Sequence, residues 1–148
     1  MTLLTIEDLR VRFPTDHGGV EVVKGLSFRL GRERMGIVGE SGSGKSMTGR
    51  ALLGLVPPPG RVTAGAMDFD GIDLRSIDER GFRWLRGARM SMVMQDPKFS
   101  LNPVIRIGDQ IGEVLELHTR LGGRSRRASV LEVLESGRSN DPERVDRL

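Results

Sequence analysis

The run Gly39-Glu40-Ser41-Gly42-Ser43-Gly44-Lys45-Ser46 satisfies every fixed position of G-x-x-x-x-G-K-[ST]. Glycines at this spacing leave no side chains in the way, so successive N–H groups can turn inward around an anion. A helix starting at about Lys45 aims its positive end at the same point. Lys45 then reaches the β and γ phosphates as a cation, and the Ser46 hydroxyl is placed to ligate Mg²⁺. The chemistry predicted is binding of ATP with Mg²⁺. Gly39, Glu40, Ser41, Gly42, Ser43, Gly44, Lys45, Ser46 and Met47 are the candidate nucleotide-binding residues, with Lys45 also a candidate catalytic group. A glycine-rich turn merely capped by Lys45 is the plainer reading, but it leaves unexplained the hydroxyl that follows the only lysine between Lys24 and Lys98.

A second candidate is Gln95, which follows the apolar run Arg89 to Met94 and precedes Asp96-Pro97. An amide at a strand end beside a proline-kinked loop can present its carbonyl to a metal or a water while the loop stays free to move. His17 and His118 stand alone in sequence, without a carboxylate or a second histidine, and read as surface residues.

The elements that must position these groups are legible in the apolar spacing. Leu4, Ile6, Leu9, Val11 and Phe13 recur nearly every second residue and predict a half-buried strand. Pro14 to Gly19 breaks it, and Val20 to Leu30 predicts a second strand, giving a hairpin. Arg34 to Val38 predicts a short strand feeding the glycines. Met47, Ala51, Leu52, Leu55 and Val56 follow with helical spacing, ended by Pro57-Pro58-Pro59-Gly60. Val62 to Leu74 predicts short antiparallel strands, Ile77 to Arg86 a helix, and Arg89 to Met94 a further strand. From Ile105 onward two amphipathic helices are separated by Gly122-Gly123.

The 148 residues allow one ordinary domain. With 37% hydrophobic and 29% charged residues of both signs, the composition fits neither a disordered tail nor a membrane span. The net charge is +3 and the isoelectric point about 10.1, but the basic residues are spread along the chain without interleaved aromatics, so nucleic acid is not expected. The absence of cysteine excludes disulfides, Cys-ligated zinc and iron–sulfur clusters within these residues. The N-terminus lacks the features of a signal peptide, and a cytoplasmic protein is expected.

Met92-Val93-Met94-Gln95-Asp96-Pro97-Lys98-Phe99-Ser100-Leu101-Asn102-Pro103 resembles the Q-loop of ATP-binding-cassette (ABC) transporter ATPases. Its Q-D-P-x-x-S-L-N-P form is similar to the oligopeptide/dipeptide/nickel importer branch, as are Gly36 to Ser46 and Gly108-Asp109-Gln110-Ile111. The resemblance covers essentially the whole chain. It implies an α/β fold, the P-loop NTPase ABC-type nucleotide-binding domain in incomplete form. Residues 1–100 would be the N-terminal part of the ATP-binding core, an antiparallel β region plus part of the parallel core sheet, and 101–148 the beginning of a helical subdomain. By resemblance, Gln95 touches Mg²⁺ or the attacking water, and the segment from Pro97 to Pro103 rests against a membrane partner. Phe13 is the candidate to stack on adenine, with a core Phe facing the sheet as the standing alternative.

The resemblance further implies a second ABC ATPase subunit, identical or merely similar, and transmembrane permease subunits as partners, at the cytoplasmic face of the cell membrane. The implied function is the ATPase subunit of an importer for peptides or related solutes. The alternative is a truncated or remnant nucleotide-binding module that binds ATP without hydrolysing it. A soluble ATPase acting on DNA or ribosomes fits the S-L-N-P segment poorly. The family's signature sequence, Walker B strand and switch histidine are not found in residues 1–148. Leu134-Glu135-Ser136-Gly137 has the wrong residue order for the signature. In this family later strands insert between the P-loop strand and the Gln95 strand, so residues 1–148 alone are expected to be marginal or aggregation-prone.

Overall fold

The computed structural model describes residues 2–16, 18–94 and 101–137. Two compact units divide the chain, Met1–Arg86 and Gly87–Leu148.

The first unit is organised around a five-stranded sheet. Strands β1 (Leu4–Thr15) and β2 (Gly18–Leu30) form the expected antiparallel hairpin. β1 also pairs antiparallel with β3 (Arg61–Thr63) and β4 (Ala66–Phe69), and β4 with β5 (Ile72–Asp73). The apolar spacing of β1 skips a residue between Ile6 and Leu9, and the structure shows why. The register shifts there, Asp8 takes φ 50, and its N–H donates to Ser27 Oγ at 2.8 Å. Such a bulge lets Leu9 and Val11 be buried like Leu4 and Ile6 despite the odd spacing. Both are 0% exposed. Val23, Met67, Phe69, Ala51, Leu53, Leu74 and Leu85 complete this core. Each large side chain so buried contributes about 1.5–3 kcal/mol before entropy is counted.

Helix α1 (Lys45–Leu52) starts on the glycine loop, and helix α2 (Glu79–Leu85) is capped by Asp78, whose carboxylate accepts from Gly81 N–H at 2.9 Å. α1 is shorter than the apolar spacing predicts. It closes at Leu53 and Gly54 turns to φ 64, leaving Leu55 and Val56 outside it.

The segments Arg34–Val38 and Arg89–Met94, expected as parallel core strands, join no ladder among the described residues. A strand exists only by pairing its backbone groups with a neighbour; Met90 makes a single bridge and no more, and Val38 is 96% exposed and Val93 88%.

The second unit contains helices α3 (Ile107–His118) and α4 (Gly123–Ser136), the expected helical pair, with Gly122 as the N-cap of α4. They pack on one another around Val130, which is buried, and the Arg126 guanidinium bonds Glu116 across the pair. Leu134–Ser136 ends α4. Among the described residues no helix is long and apolar enough to cross a membrane.

Candidate functional site

Residues 39–47 form a loop running into the first turn of α1. Ser43 N–H donates to Glu40 O at 3.2 Å, and Gly42 takes φ 81. Gly44 is the N-cap of α1 at φ 91, and a Cβ there would sit 2.6 Å from the Val22 carbonyl oxygen. Backbone angle and close approach both require glycine at that point. Thr48, 3% exposed, locks the turn from below: its N–H and its Oγ1 both donate to Gly44 O, at 2.8 and 3.0 Å.

No side chain caps the N-terminus of α1, and its first turn holds no acidic residue. The positive end of the helix is therefore free of a competing carboxylate from its own turn. Lys45 folds back over the loop. Its Nζ donates to Gly39 O and Glu40 O, each at 2.6 Å, and to Ser43 Oγ at 3.1 Å. An ammonium has three protons, so its donors are spoken for inside the loop. The longer bond to Ser43 is the one most readily exchanged for a phosphate oxygen. Ser46 is exposed and Met47 half-buried. Gly39, Glu40, Ser41, Gly42, Ser43, Gly44, Lys45, Ser46 and Met47 thus make up one continuous loop and first helical turn.

The opposite end of α1 is clamped. Arg86 Nε donates to Leu53 O at 2.8 Å and Nη2 to Gly54 O at 3.1 Å, while the same guanidinium grips both carboxylate oxygens of Glu79 at 2.7 and 3.1 Å. That hydrogen-bonded pair holds the Glu79 carboxyl below its ordinary range. The Arg86 cation lies 5.4 Å from the Phe82 ring centroid, and that ring covers Gly54. Sequence reasoning missed both Thr48 and Arg86. Thr48 had a local signal, a hydroxyl four residues after the N-cap glycine; Arg86 had none, because its carbonyl partners lie 32 and 33 residues away.

Phe13 is half-buried, and its ring lies over Gly60, where a Cβ would fall 2.6 Å from ring carbon Cε1. The Cε1–Cζ edge of the ring is thus engaged at Gly60. Gln95, together with Asp96 to Ser100, lies outside the described residues. What is described of the following segment is held by Gln110: its Oε1 accepts from Asn102 N–H at 2.9 Å, and its Nε2 donates to Asn102 O at 3.0 Å and Ile105 O at 2.8 Å.

Among the described residues no group of three His, Cys, Asp or Glu could hold a metal ion. The donor set fits a metal that arrives with a phosphate chain instead. Mg²⁺ keeps several waters and takes few protein ligands beside phosphate oxygens, and Ser46 carries an exposed hydroxyl of the kind that could serve as one.

A sequence profile described as ABC transporter matches residues 23–146. The dipeptide transport ATP-binding protein DppD of Bacillus subtilis is 41% identical over 142 residues, which are 95% of this chain and 42% of that protein. The oligopeptide transport ATP-binding protein OppD of Salmonella typhimurium is 49% identical over 117 residues, 78% of this chain and 35% of its own. The chain thus spans less than half the length of these curated relatives. Among solved structures, the dimeric post-hydrolysis state of the ATP-binding cassette MJ0796 bound to ADP and Pi superposes with a TM-score of 0.68 over 91% of this chain and 57% of that one, at 20% identity. That likeness establishes the fold.

Proposed function

The chain belongs to the ABC transporter family, and on that premise we propose that it supplies the phosphate-binding loop of an ATP-binding subunit serving an importer of peptides or related solutes. The observation that carries this is the loop itself: an uncapped helix end, Gly44 forced to be glycine, and Lys45 held inward by two carbonyls. When bound, ATP–Mg²⁺ supplies the hydrolysable triphosphate. Of the chain's own residues, the uncapped backbone N–H groups at the start of α1 would orient the phosphates, Lys45 would neutralise their charge, and Ser46 would offer its hydroxyl to the metal. Gln95 would serve the metal or the water, Phe13 would stack on adenine, and the segment from Pro97 to Pro103 would meet a permease subunit. A second ATPase subunit and a place at the cytoplasmic face of the membrane complete the proposal.

The alternative is binding without turnover. Equilibrium binding of ATP–Mg²⁺ together with phosphate release tests both readings. Lys45→Ala should weaken binding by about 1.5–3 kcal/mol, the scale of charge-assisted hydrogen bonds; equal affinity overturns the assignment. Binding without phosphate release selects the alternative.

A further inference from the structure

On the side of the sheet away from the glycine loop, β1, β2 and β3 enclose a concavity of about 410 Å³ lined by Arg10, Arg12, Glu21, Arg61 and Thr63, with Gly18 and Gly19 at its rim. The two sides are set by strand alternation. Gly44 abuts Val23, and Val23 pairs with Val11 on the buried face. Arg10 and Arg12 alternate with Val11 and so project the other way.

Arg10 is already neutralised, 2.8 Å from Asp8 and 3.5 Å from Glu21. Arg12 and Arg61 form no ion pair among the described residues; Arg12 faces Glu21 across the β1–β2 register, but Glu21 pairs with Arg10 instead, and on its other side Arg12 stands directly opposite Arg61 in the β1–β3 register. Like charges in cross-strand register destabilise a sheet, and an oxyanion between two planar guanidinium groups reverses that cost. The Arg12 guanidinium crosses over Gly19, where a Cβ would fall 2.0 Å from Nε. A side chain at 19 would displace it from the concavity. Thr63, opposite Arg10 in register, adds a hydroxyl to the lining.

We infer that this concavity is an anion site of its own, in which Arg12 and Arg61 together take the phosphate group of a small phosphorylated molecule. Its concave form and volume suit a small ligand, whereas a lipid surface would need a flat or convex face. The site is carried on paired strands, so its geometry does not depend on a loop closing.

The test is equilibrium dialysis of the chain with radiolabelled inorganic phosphate at low ionic strength, in a Lys45→Ala background that weakens the glycine loop. Phosphate binding should persist in Lys45→Ala and fall about tenfold on adding Arg12→Gln with Arg61→Gln. Arg12→Lys with Arg61→Lys should recover only part of it, since charge remains but the bidentate fork is lost. Both arginines are exposed, so thermal melts of the variants should fall no lower than the parent's, which separates lost binding from lost folding. Absence of phosphate binding in Lys45→Ala, or its indifference to the arginine substitutions, overturns the inference. So does arginine-dependent sedimentation with phosphatidylcholine vesicles containing phosphatidic acid where free phosphate does not bind, which would assign the face to a membrane.

Discussion

The sheet of the first unit and the two apolar segments Arg34–Val38 and Arg89–Met94 have similar residues and opposite fates. In the sheet, Leu9 and Val11 are wholly buried because β1 has neighbours on both sides. In the segments, Val38 and Val93 are almost wholly exposed because no described strand lies beside them. Apolar content does not make a strand; a partner does. The glycine loop follows the first unpaired segment, while its support, α1 with Thr48, rests on the paired sheet.

The largest effect should come from testing that contrast directly. Leu9→Ala is expected to cost about 2–5 kcal/mol, whereas Val38→Ala should stay within about 0.5 kcal/mol. Denaturant midpoints decide it: if Val38→Ala costs as much as Leu9→Ala, the segment before the loop is packed and the contrast is wrong.

Next in size is the clamp at the far end of α1. Arg86→Met keeps the length of the side chain but leaves the Leu53 and Gly54 carbonyls without their charged donor, at about 1.5–3 kcal/mol. Hydrogen exchange at residues 51–55 should quicken. Arg86→Lys should restore part of the protection, since a single ammonium cannot replace the fork that spans two carbonyls and a carboxylate. Unchanged exchange in Arg86→Met would mean that α1 is held by the sheet alone.

A smaller loss is expected at Thr48. Thr48→Val removes the Oγ1 bond but leaves the Thr48 N–H on Gly44 O, so the carbonyl is not orphaned. The cost should fall at the low end of about 0.5–1.5 kcal/mol. A larger one would show that the hydroxyl, rather than the backbone, fixes the N-cap geometry.

What the sequence made legible follows the same division. The hairpin, the short strands, the glycine loop and the helices carry local signals: alternation, turn residues, a fixed motif and helical spacing. The bulge at Asp8 showed only as an odd spacing between Ile6 and Leu9, because a bulge is defined by what lies across the ladder. Arg86 was invisible because its partners are distant in sequence. Arg34–Val38 read as a strand because periodicity reports the side chains and says nothing of the neighbour. Phe13 read two ways, and its ring meets Gly60, a contact between residues too far apart for any pattern to join.

The smallest effect is one of pH, and it separates two carboxylates that look alike. Asp73 is held down to about 2 by hydrogen bonds from the Arg75 side chain and then from the Arg75 N–H, while desolvation pulls the other way. Glu33, in the stretch before the glycine loop, is also lowered, chiefly by the Gly31 N–H. The Asp73 pair has long reach, because Arg75 Nη1 also donates to Gly65 O at 2.5 Å and so links the β5 end to the approach to β4. Glu33 secures only a bend two residues long. A carboxyl whose folded value lies below its ordinary 3.8 adds stability that is complete above that value and disappears as pH falls towards about 2. Protection of the Leu74 N–H, bonded to Met67 O at 2.8 Å, should therefore decline across that window, modestly because the pair is exposed. Asp73→Asn should flatten the decline and Glu33→Gln should not touch it. If Glu33→Gln flattens it instead, the acid-sensitive contact belongs to the unpaired segment, and the sheet is not the sturdier partner in this comparison.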